Sequence, residues 1–468
     1  MKEFFLYKPV SARRTLGGVP VQGFSEDFAY DPIGNRVSAT DYDEDGNPRT
    51  SLYSANALNQ YVSRTVPGWA SVRGLAATNA YISVNGNEAF RMGGYYFGSG
   101  DFDNSAQSGW AELETYATVN GPTNDFVSAV TNRVFVPQTP ETFAYDADGN
   151  MIEDGRFRYW WNGENRMVRA EEKMPPEGRA AHVVVYAYDH QGRNVVKDGS
   201  LQIWDDYNIV VENATSSNVT INAWGLDIDG TMQGAGGVGG LLAVARNDDM
   251  SLPAYDANGN ITEYVDSLGG VESHTDYSAF GRGLVRSGLQ NHSHGFSTKP
   301  WNGRLKVIEY QTRIYNQFDG RWCSRDSVYE YGGLNLYGFA ENNVENLFDY
   351  QGRLPMVVLQ VAVIAAVELA AHYICDAVAN QNLDEQTDAY KHCMVSCRYS
   401  KCTGVLNGSV WGAMQTLLGG VLHEIMSSNN TLEGAIDDIK SNLIGIAGSL
   451  TSGDCKSACD CEKGHWNR

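Results

Sequence analysis

The residues near the end of the chain that could do chemistry centre on a histidine. His392 and Ser396 are four residues apart, a spacing that places both on one face of a helix. An unperturbed histidine has a pKa of about 6.5, so His392 suits a general base at neutral pH. Glu424 or Asp438 would orient its ring, and Ser396 or Asn442 would bind substrate or water. The structural alternative is a core histidine with satisfied bonds, an exposed Glu424 and an interhelical Asp438–Asn442 hydrogen bond.

Cysteines are concentrated in the same part of the chain. Cys323 and Cys375 stand apart, and the other six follow His392. So many cysteines in so short a stretch favour disulfides and an oxidising destination, although their pairing cannot be deduced. A zinc site is the alternative, but the spacing fits no familiar zinc finger, and we predict no metal and no cofactor. The disulfide candidates are Cys393, Cys397, Cys402, Cys455, Cys459 and Cys461.

The elements that must position these residues are helical. From Pro355 the apolar period changes from two to about 3.6, which marks a new domain. Its first predicted helix, Leu354 to His372, is apolar, yet Gln360 and Glu368 interrupt it, so it suits a buried or membrane-seeking helix better than a fixed anchor. Further helices are predicted near residues 387–398, 409–426 and 431–450.

Composition sets a different expectation for the front of the chain. Fifty Gly and 26 Tyr among 468 residues suit many short strands joined by tight turns. The net charge of -21, without any run of Lys or Arg, disfavours a nucleic-acid partner. Residues 355–468 are themselves acidic, with twelve Asp/Glu against seven Lys/Arg, a balance of -5. No apolar stretch of signal-peptide length is visible at the start.

A short motif of Tyr, Asp, Gly and Asn recurs along the front of the chain. Each copy predicts a hairpin: the aromatic residue packs at a strand end, Asp and Asn accept backbone hydrogen bonds in the turn, and Gly supplies a positive φ. Self-similar units that expose a half-buried face must stack, so a long sheet wound into a spiral or shell is expected. The copies lie at 30–36, 42–47, 145–150, 188–194 and 255–260, with variants at 53–61 and 160–167.

The stretch from Arg313 to Leu354, here called the core segment, separates the repeats from the helical tail. It closely resembles the Rhs repeat-associated core, the segment that ends the YD-repeat shell of bacterial Rhs and toxin-complex proteins. The resemblance implies an all-β shell and a cargo that follows it. The matching residues are Arg313, Tyr315, Gly320, Arg321, Trp322, Ser324, Asp326, Gly332, Gly333, Asn335, Leu336, Tyr337, Asn342, Asn343, Asn346, Asp349 and Gly352.

The same resemblance implies self-cleavage. In the family this segment is often an autoprotease that releases the cargo, with two aspartates doing the acid–base work. The matching residues are Asp326 and Asp349, and Arg325 is next to the first. Held close together, one carboxyl group can stay protonated as the acid while the other activates water. Cleavage is expected after Leu354.

The sequence departs from the family pattern around both aspartates. Ser327 and Tyr350 stand where the family has Pro, and Arg353 precedes the expected Leu354. These changes put cleavage in doubt, and the alternative is that both aspartates cap turns, as Asp commonly does.

The tail has two resemblances of its own. The order of its polar motifs resembles a helical cargo module found on some bacterial secreted and toxin proteins. The element around His392 is also similar to the disulfide-tied catalytic helix of secreted phospholipase A2, in which a histidine activates water. Cys393 replaces the aspartate that binds calcium in those lipases, so a calcium site is in doubt.

These observations predict a mostly β protein, a YD-repeat hairpin shell, followed by a small α-helical, cysteine-rich domain. The expected domains are a YD-repeat segment (1–312), the core segment (313–354) and a helical effector (355–468). The predicted function is the C-terminal part of a secreted or cell-surface bacterial toxin, whose effector is a lipase-like hydrolase. An immunity protein, a target-cell lipid or surface, and the rest of the shell in a longer parent are the expected partners. The alternative is a non-enzymatic cell-surface protein with a disulfide-tied interaction domain.

Overall fold

The computed structural model describes residues 10–247, 249–289, 292–344 and 347–357. These residues belong to one compact unit, Met1–Val357. All of its strand pairs are antiparallel, and the part of the chain just listed contains no α-helix, only three short 3₁₀ turns. The predicted β architecture is therefore confirmed. The predicted helices beyond Val357 lie outside the described residues.

The first sheet is a meander in which each strand pairs with the next. Its members are β1 (Ser11–Leu16), β2 (Val19–Tyr30), β3 (Arg36–Tyr42), β4 (Pro48–Ala55) and β5 (Tyr61–Arg64). Two small sheets then interrupt the meander. They contain β6 (Trp69–Leu75), β7 (Tyr81–Val84), β8 (Asn87–Glu88), β9 (Phe90–Met92), β10 (Tyr95–Asp101), β11 (Gly109–Val119) and β12 (Phe126–Val136), in the orders β6-β10-β9 and β12-β11-β7-β8.

The chain then returns to the first sheet and continues as two longer meanders. β13 (Glu141–Thr142) pairs with β5. A seven-stranded sheet follows, with β14 (Ala144–Tyr145), β15 (Met151–Glu153), β16 (Phe157–Trp161), β17 (Met167–Glu172), β18 (Val183–Tyr188), β19 (Asn194–Lys197) and β20 (Ser200–Leu201). An eight-stranded sheet has β21 (Ile203–Asp205), β22 (Asn208–Glu212), β23 (Thr220–Trp224), β24 (Leu241–Arg246), β25 (Asp249–Tyr255), β26 (Ile261–Asp266), β27 (Val271–Tyr277) and β28 (Gly283–Gly288).

The last two sheets consist of two short strands that precede the core segment and four strands that begin within it, the last of which extends three residues past Leu354. Four short strands pair in chain order, and a final hairpin follows. The strands are β29 (Trp301–Asn302), β30 (Val307–Glu309), β31 (Ile314–Asn316), β32 (Arg321–Trp322), β33 (Leu347–Tyr350) and β34 (Leu354–Val357). The helix predicted from Leu354 is therefore wrong for its first four residues, because these residues pair with β33 instead.

One five-residue turn joins many of these strands. In each copy the backbone N–H of the first residue donates to the carbonyl of the fifth, and the N–H of the fourth residue donates to the carbonyl of the first. The fourth residue has a positive φ. In the copy at Asp43, the fourth residue is Gly46 with φ 81°. The strand register commonly shifts next to the turn, as expected for a three-residue hairpin loop with a bulge. Within the described residues, eleven copies span 31–35, 43–47, 56–60, 146–150, 162–166, 189–193, 227–231, 256–260, 266–270, 278–282 and 295–299.

The aspartate that opens the turn fixes it through its side chain. Asp146 Oδ1 accepts the N–H of Asn150 at 2.8 Å, and Asn150 Nδ2 donates to Asp146 Oδ2 at 2.9 Å. Asp31, Asp43 and Asp256 make the same two bonds to the asparagine four residues on. The predicted hairpin and positive φ are confirmed. The asparagine accepts a backbone bond through its carbonyl, as predicted, and its side-chain amide donates to the aspartate.

The largest aromatic cluster joins the core segment to the repeats. Trp322 is almost fully buried, and its ring lies 4.9 Å from Tyr310 and 5.5 Å from Phe339. Phe28 of β2 and Phe280, in the turn between β27 and β28, belong to the same cluster. Burial of each such ring contributes about 2–3 kcal/mol. The core segment is therefore held by residues distant in sequence.

Candidate active site

Several residues of the core segment that match the family pattern contact the repeat turns. Tyr337 OH donates to the carbonyl of Gly149 at 2.8 Å, and Asn342 Nδ2 donates to that of Gly34 at 2.9 Å. Arg321 donates to the carbonyl of Asn59 at 2.6 Å, and its guanidinium lies 3.7 Å from the centre of the Tyr61 ring. These bonds connect turns of two different sheets to one segment. The segment is thus fixed in position from several sides.

Within this segment one arginine holds both aspartates of the predicted protease. Arg313 Nη2 lies 2.8 Å from Asp326 Oδ2 and 3.3 Å from Asp349 Oδ2. The three side chains are at most 5% exposed. The two carboxylates thus have one guanidinium nitrogen as a common partner. The structure therefore brings Asp326 and Asp349 together, as the sequence predicted.

Arg313 is itself fixed in orientation. Its guanidinium lies 4.1 Å from the centre of the Trp322 ring, a cation–π contact. Its Nε donates to the carbonyl of Gly352, and Nη1 donates to that of Leu336 at 3.4 Å. Gly352 has φ 80°, and a Cβ there would lie 3.2 Å from Trp322 and from Tyr310. Glycine thus lets the backbone carbonyl approach the arginine.

Burial and charge act in opposite directions on this cluster. Burial raises the pKa of Asp326, although Arg313 and the N–H of Val328 oppose the shift. Burial also lowers the pKa of Arg313, against the two aspartates. Asp326 is consequently a carboxyl group that holds its proton to a higher pH than usual, which is the property required of a general acid.

The expected cleavage position lies across the last hairpin from Asp349. In the antiparallel pairing of β33 with β34, Asp349 is directly opposite Pro355, and Tyr350 is opposite Leu354. The bond between Leu354 and Pro355 thus lies on the strand that pairs with the one carrying Asp349.

Arg325, predicted beside the aspartates, contacts a different partner. Its Nε donates to the carbonyl of Asp148 at 2.5 Å, in a repeat turn. The arginine that contacts Asp326 and Asp349 is Arg313, one of the residues that match the family pattern. The signal that could have found it is physical: a buried carboxylate pair requires a cation.

The alternative role for the aspartates, turn capping, is present for one of them. Asp326 Oδ1 accepts the N–H of Val328 at 3.0 Å, an Asx turn. Its other oxygen contacts Arg313, so the same carboxyl group has a local and a long-range partner. The capping bond positions the carboxyl group and does not occupy the oxygen that faces Arg313.

The other predicted site residues lie outside the described residues. These are the catalytic and binding candidates and the six cysteines of the tail: His392, Ser396, Glu424, Asp438, Asn442, Cys393, Cys397, Cys402, Cys455, Cys459 and Cys461. In the part of the chain that is described, no group of three or more His, Cys, Asp or Glu side chains is arranged to hold a metal ion. None of its helices is long and apolar enough to cross a membrane.

Comparison with known proteins gives sequence relatives. The chain is 25% identical over 250 residues to the tRNA3(Ser)-specific nuclease WapA of Bacillus spizizenii and to the tRNA nuclease WapA of Bacillus subtilis. Each match covers 50% of this chain and 10% of the relative, so the chain spans about a tenth of their length. A third relative, the tRNA(Glu)-specific nuclease WapA of Bacillus subtilis subsp. natto, is 29% identical over 86 residues. No protein-family profile matches the sequence.

Solved structures give partial superpositions. A TcdB2-TccC3-Cdc42 crystal structure matches 71% of this chain and 17% of its own, with 15% identity and a TM-score of 0.37. The Photorhabdus luminescens Tc holotoxin pore with a mutated TccC3 matches 74% and 17%, with 16% identity and a TM-score of 0.38. The sequence relatives, which match part of this chain, agree with the resemblance drawn from the core segment.

Proposed function

We propose that this Rhs/YD-repeat chain is the C-terminal part of a secreted or cell-surface bacterial toxin that cuts itself after Leu354. Residues 1–312 would form part of a YD-repeat shell, residues 313–354 the protease, and residues 355–468 the released effector. The observation that carries the proposal is the buried aspartate pair on Arg313, with Asp349 paired directly across from Pro355.

The chemistry follows from the different surroundings of the two carboxyl groups. Asp349 removes a proton from a water molecule, whose oxygen attacks the carbonyl carbon of Leu354. Asp326, whose pKa burial raises, gives its proton to the nitrogen of Pro355, and the C–N bond breaks. Arg313 holds both carboxyl groups in place. Water is consumed, and the products are a Leu354 carboxylate and a Pro355 amine.

Mass spectrometry of the purified full chain tests the cleavage. We expect one fragment that ends at Leu354 and one that begins at Pro355. Asp349→Asn and Asp326→Asn should each leave a single intact chain. Asp256→Asn is the matched control, because Asp256 makes the local turn bonds and has no role in the pair. An intact wild-type chain, or normal cleavage of Asp349→Asn, would overturn the proposal.

For the effector we propose a hydrolase of lipid or another ester, with His392 as the general base. Glu424 or Asp438 would orient the histidine, and Ser396 or Asn442 would bind substrate. An apolar predicted helix next to a histidine-centred polar face supports a lipid or cell-surface target. Expression of the full chain in a bacterial periplasm should be toxic, and His392→Ala should remove toxicity while cleavage after Leu354 continues. An immunity protein would be the natural inhibitor.

A second candidate, RNA cleavage, is favoured by the names of the relatives, all of which are tRNA nucleases. The acidic balance of residues 355–468 opposes it, since nucleic-acid binding relies on positive charge. The same expression experiment separates the two candidates: toxicity in the cytoplasm with degraded tRNA indicates the nuclease, and periplasmic toxicity with released lipid products indicates the lipase. Absence of toxicity in either compartment favours the non-enzymatic surface protein.

A further inference from the structure

A large cavity lies away from the aspartate pair. Its volume is about 570 Å³, within the range of about 300–1,000 Å³ that small-molecule sites occupy. Side chains from β11, β12, β16 and the turn that precedes β30 contribute to its walls. Much of the wall is aromatic or aliphatic, as is usual for sites that hold an organic molecule. The apolar residues include Trp110, Phe135, Phe143, Phe157, Leu305 and Val307.

The acidic groups of the cavity are already paired within the fold. Arg64 Nε lies 2.5 Å from Glu141 Oε2, and its Nη1 lies 2.8 Å from Asp319 Oδ1. Asp154 Oδ2 accepts a hydrogen bond from Tyr159 OH at 2.5 Å. Each of these carboxylates thus has a structural partner, although Glu141 and Asp319 share the single guanidinium of Arg64.

The basic groups have too few carboxylate partners. Arg156 and Arg179 share one glutamate, Glu172, at 2.9 Å and 2.6 Å. Lys306 Nζ has neither a carboxylate nor a hydrogen-bond partner among the residues that the structure places, and its nearest aromatic contact is the Trp301 ring at 5.0 Å. Arg156, Arg179 and Lys306 all line the cavity, and the two arginines share the single carboxylate of Glu172.

Two titrating side chains of the cavity wall, Lys306 and His182, have lowered pKa values. Burial lowers the pKa of Lys306 to about 8, and Arg286 and Arg156 lower it further. Burial also lowers the pKa of His182, with Arg179 acting in the same direction. Neighbouring arginines thus add to the effect of burial at both bases, although the whole chain has a net charge of -21.

We propose that this cavity binds an organic phosphate. The phosphate lies against Lys306 and Arg156, and the apolar body packs between Phe135, Phe157 and Leu305. The orientation follows from charge, because Glu141 and Asp319, which also line the cavity, would repel the phosphate. A phosphate dianion supplies the two negative charges that Lys306 and the arginine pair lack. The apolar walls favour a ligand with an aromatic or acyl body over a bare ion.

Calorimetric titration of the full chain tests the proposal with three probes: 1-naphthyl phosphate, 1-naphthol and inorganic phosphate. We expect saturable binding of 1-naphthyl phosphate and much weaker binding of the other two. Equal affinity for naphthol would overturn the phosphate contact, and equal affinity for inorganic phosphate would overturn the apolar contact. Failure of 1-naphthyl phosphate to bind would overturn the whole proposal.

A pair of variants locates the site. Lys306→Gln should weaken the binding of 1-naphthyl phosphate by about tenfold or more, because it removes a charge-assisted hydrogen bond. Arg158→Gln is the matched control, since Arg158 is solvent-exposed, pairs with Glu153 and does not line the cavity. Equal affinities of the two variants and the wild type would place the ligand elsewhere.

The wild-type chain provides a test that needs no substitution. Lys306 has a pKa of about 8, so its positive charge is present below that pH and lost above it. Affinity for 1-naphthyl phosphate should therefore fall as the pH rises through about 8. An affinity that stays constant across this range would contradict the role of Lys306, whether or not Lys306→Gln folds.

Discussion

Aspartates occur in two kinds of place in this molecule, and their partners differ. In the repeat turns, Asp31, Asp43, Asp146 and Asp256 bond to the residue four positions on, through its backbone and its side chain. In the core segment, Asp326 and Asp349 meet at Arg313, which is 13 and 36 residues distant in sequence. The first kind of partner is local, and the second depends on the whole fold.

This difference separates a structural role from the catalytic role proposed for the core aspartates. The carboxylate oxygens of a turn aspartate accept bonds from neighbouring residues of the same turn, so the aspartate stabilises one hairpin. The core aspartates have one shared partner, and each depends on the other elements to stay in place. Substitutions in the two groups should therefore differ in size and in their response to pH.

The largest expected effect follows from removing the shared cation. Arg313→Met leaves two buried carboxylates without their guanidinium, and loss of one partner of a buried ion pair costs about 3–5 kcal/mol of unfolding free energy. Arg325→Met is the control, because Arg325 makes one backbone contact near the surface, and it should cost less than about 1 kcal/mol. Urea unfolding of both variants measures this. Equal losses would show that Arg313 is no more important than a surface arginine.

A turn aspartate should matter less. Asp256 accepts bonds from the N–H of Asn258, the N–H of Asn260 and the side-chain amide of Asn260. Asp256→Ala removes all three, at an expected cost of about 1–2 kcal/mol, similar to the loss of a helix cap. Asp256→Asn should cost less, because Asn56 and Asn162 open equivalent turns. If urea unfolding showed Asp256→Asn to be less stable than Asp256→Ala, the turn geometry would be contradicted.

The turns could be predicted from the sequence because their contacts are local. A Tyr-Asp motif with Gly at the fourth position of the turn specifies the bulged hairpin without information from distant parts of the chain. The aspartate pair could be named only through a family resemblance. Its partner Arg313 could not be predicted, because the contact forms only when three parts of the fold meet: the start of β31, the turn that follows β32, and strand β33. The start of the predicted helix was wrong for a related reason: an apolar run does not reveal that Leu354–Val357 will pair with Leu347–Tyr350.

Backbone conformation in the turn should produce an effect near 1 kcal/mol. Gly46 has φ 81°, and nothing lies within 4 Å of the position a Cβ would take. Gly46→Ala therefore tests the left-handed conformation alone, with an expected loss of about 1 kcal/mol. Gly46→Asn should lose less, since Asn59 adopts φ 62° at the equivalent place. Thermal unfolding measures both, and an alanine variant as stable as the wild type would contradict the assigned φ.

The smallest expected effect is a difference in pH response, with opposite signs for the two groups. In Asp43, burial alone would raise the pKa, but the bonds from Asn47 and the charge of Arg49 lower it overall. Its stabilising effect is therefore present above the unfolded-state pKa of about 4 and is lost as the pH falls. In Asp326, burial raises the pKa, so its contribution is present at low pH and decreases as the pH rises.

Asparagine substitutions convert these signs into a measurement, because Asn resembles a carboxyl group that never ionises. Asp43→Asn should lose more stability near pH 7 than near pH 4, and Asp326→Asn should lose more near pH 4 than near pH 7, by about a few tenths of a kcal/mol or more. Urea midpoints of each variant and the wild type, measured at both pH values, give the two differences. The same sign for both variants would mean that Asp326 is another turn aspartate, and it would remove the general acid from the proposed cleavage.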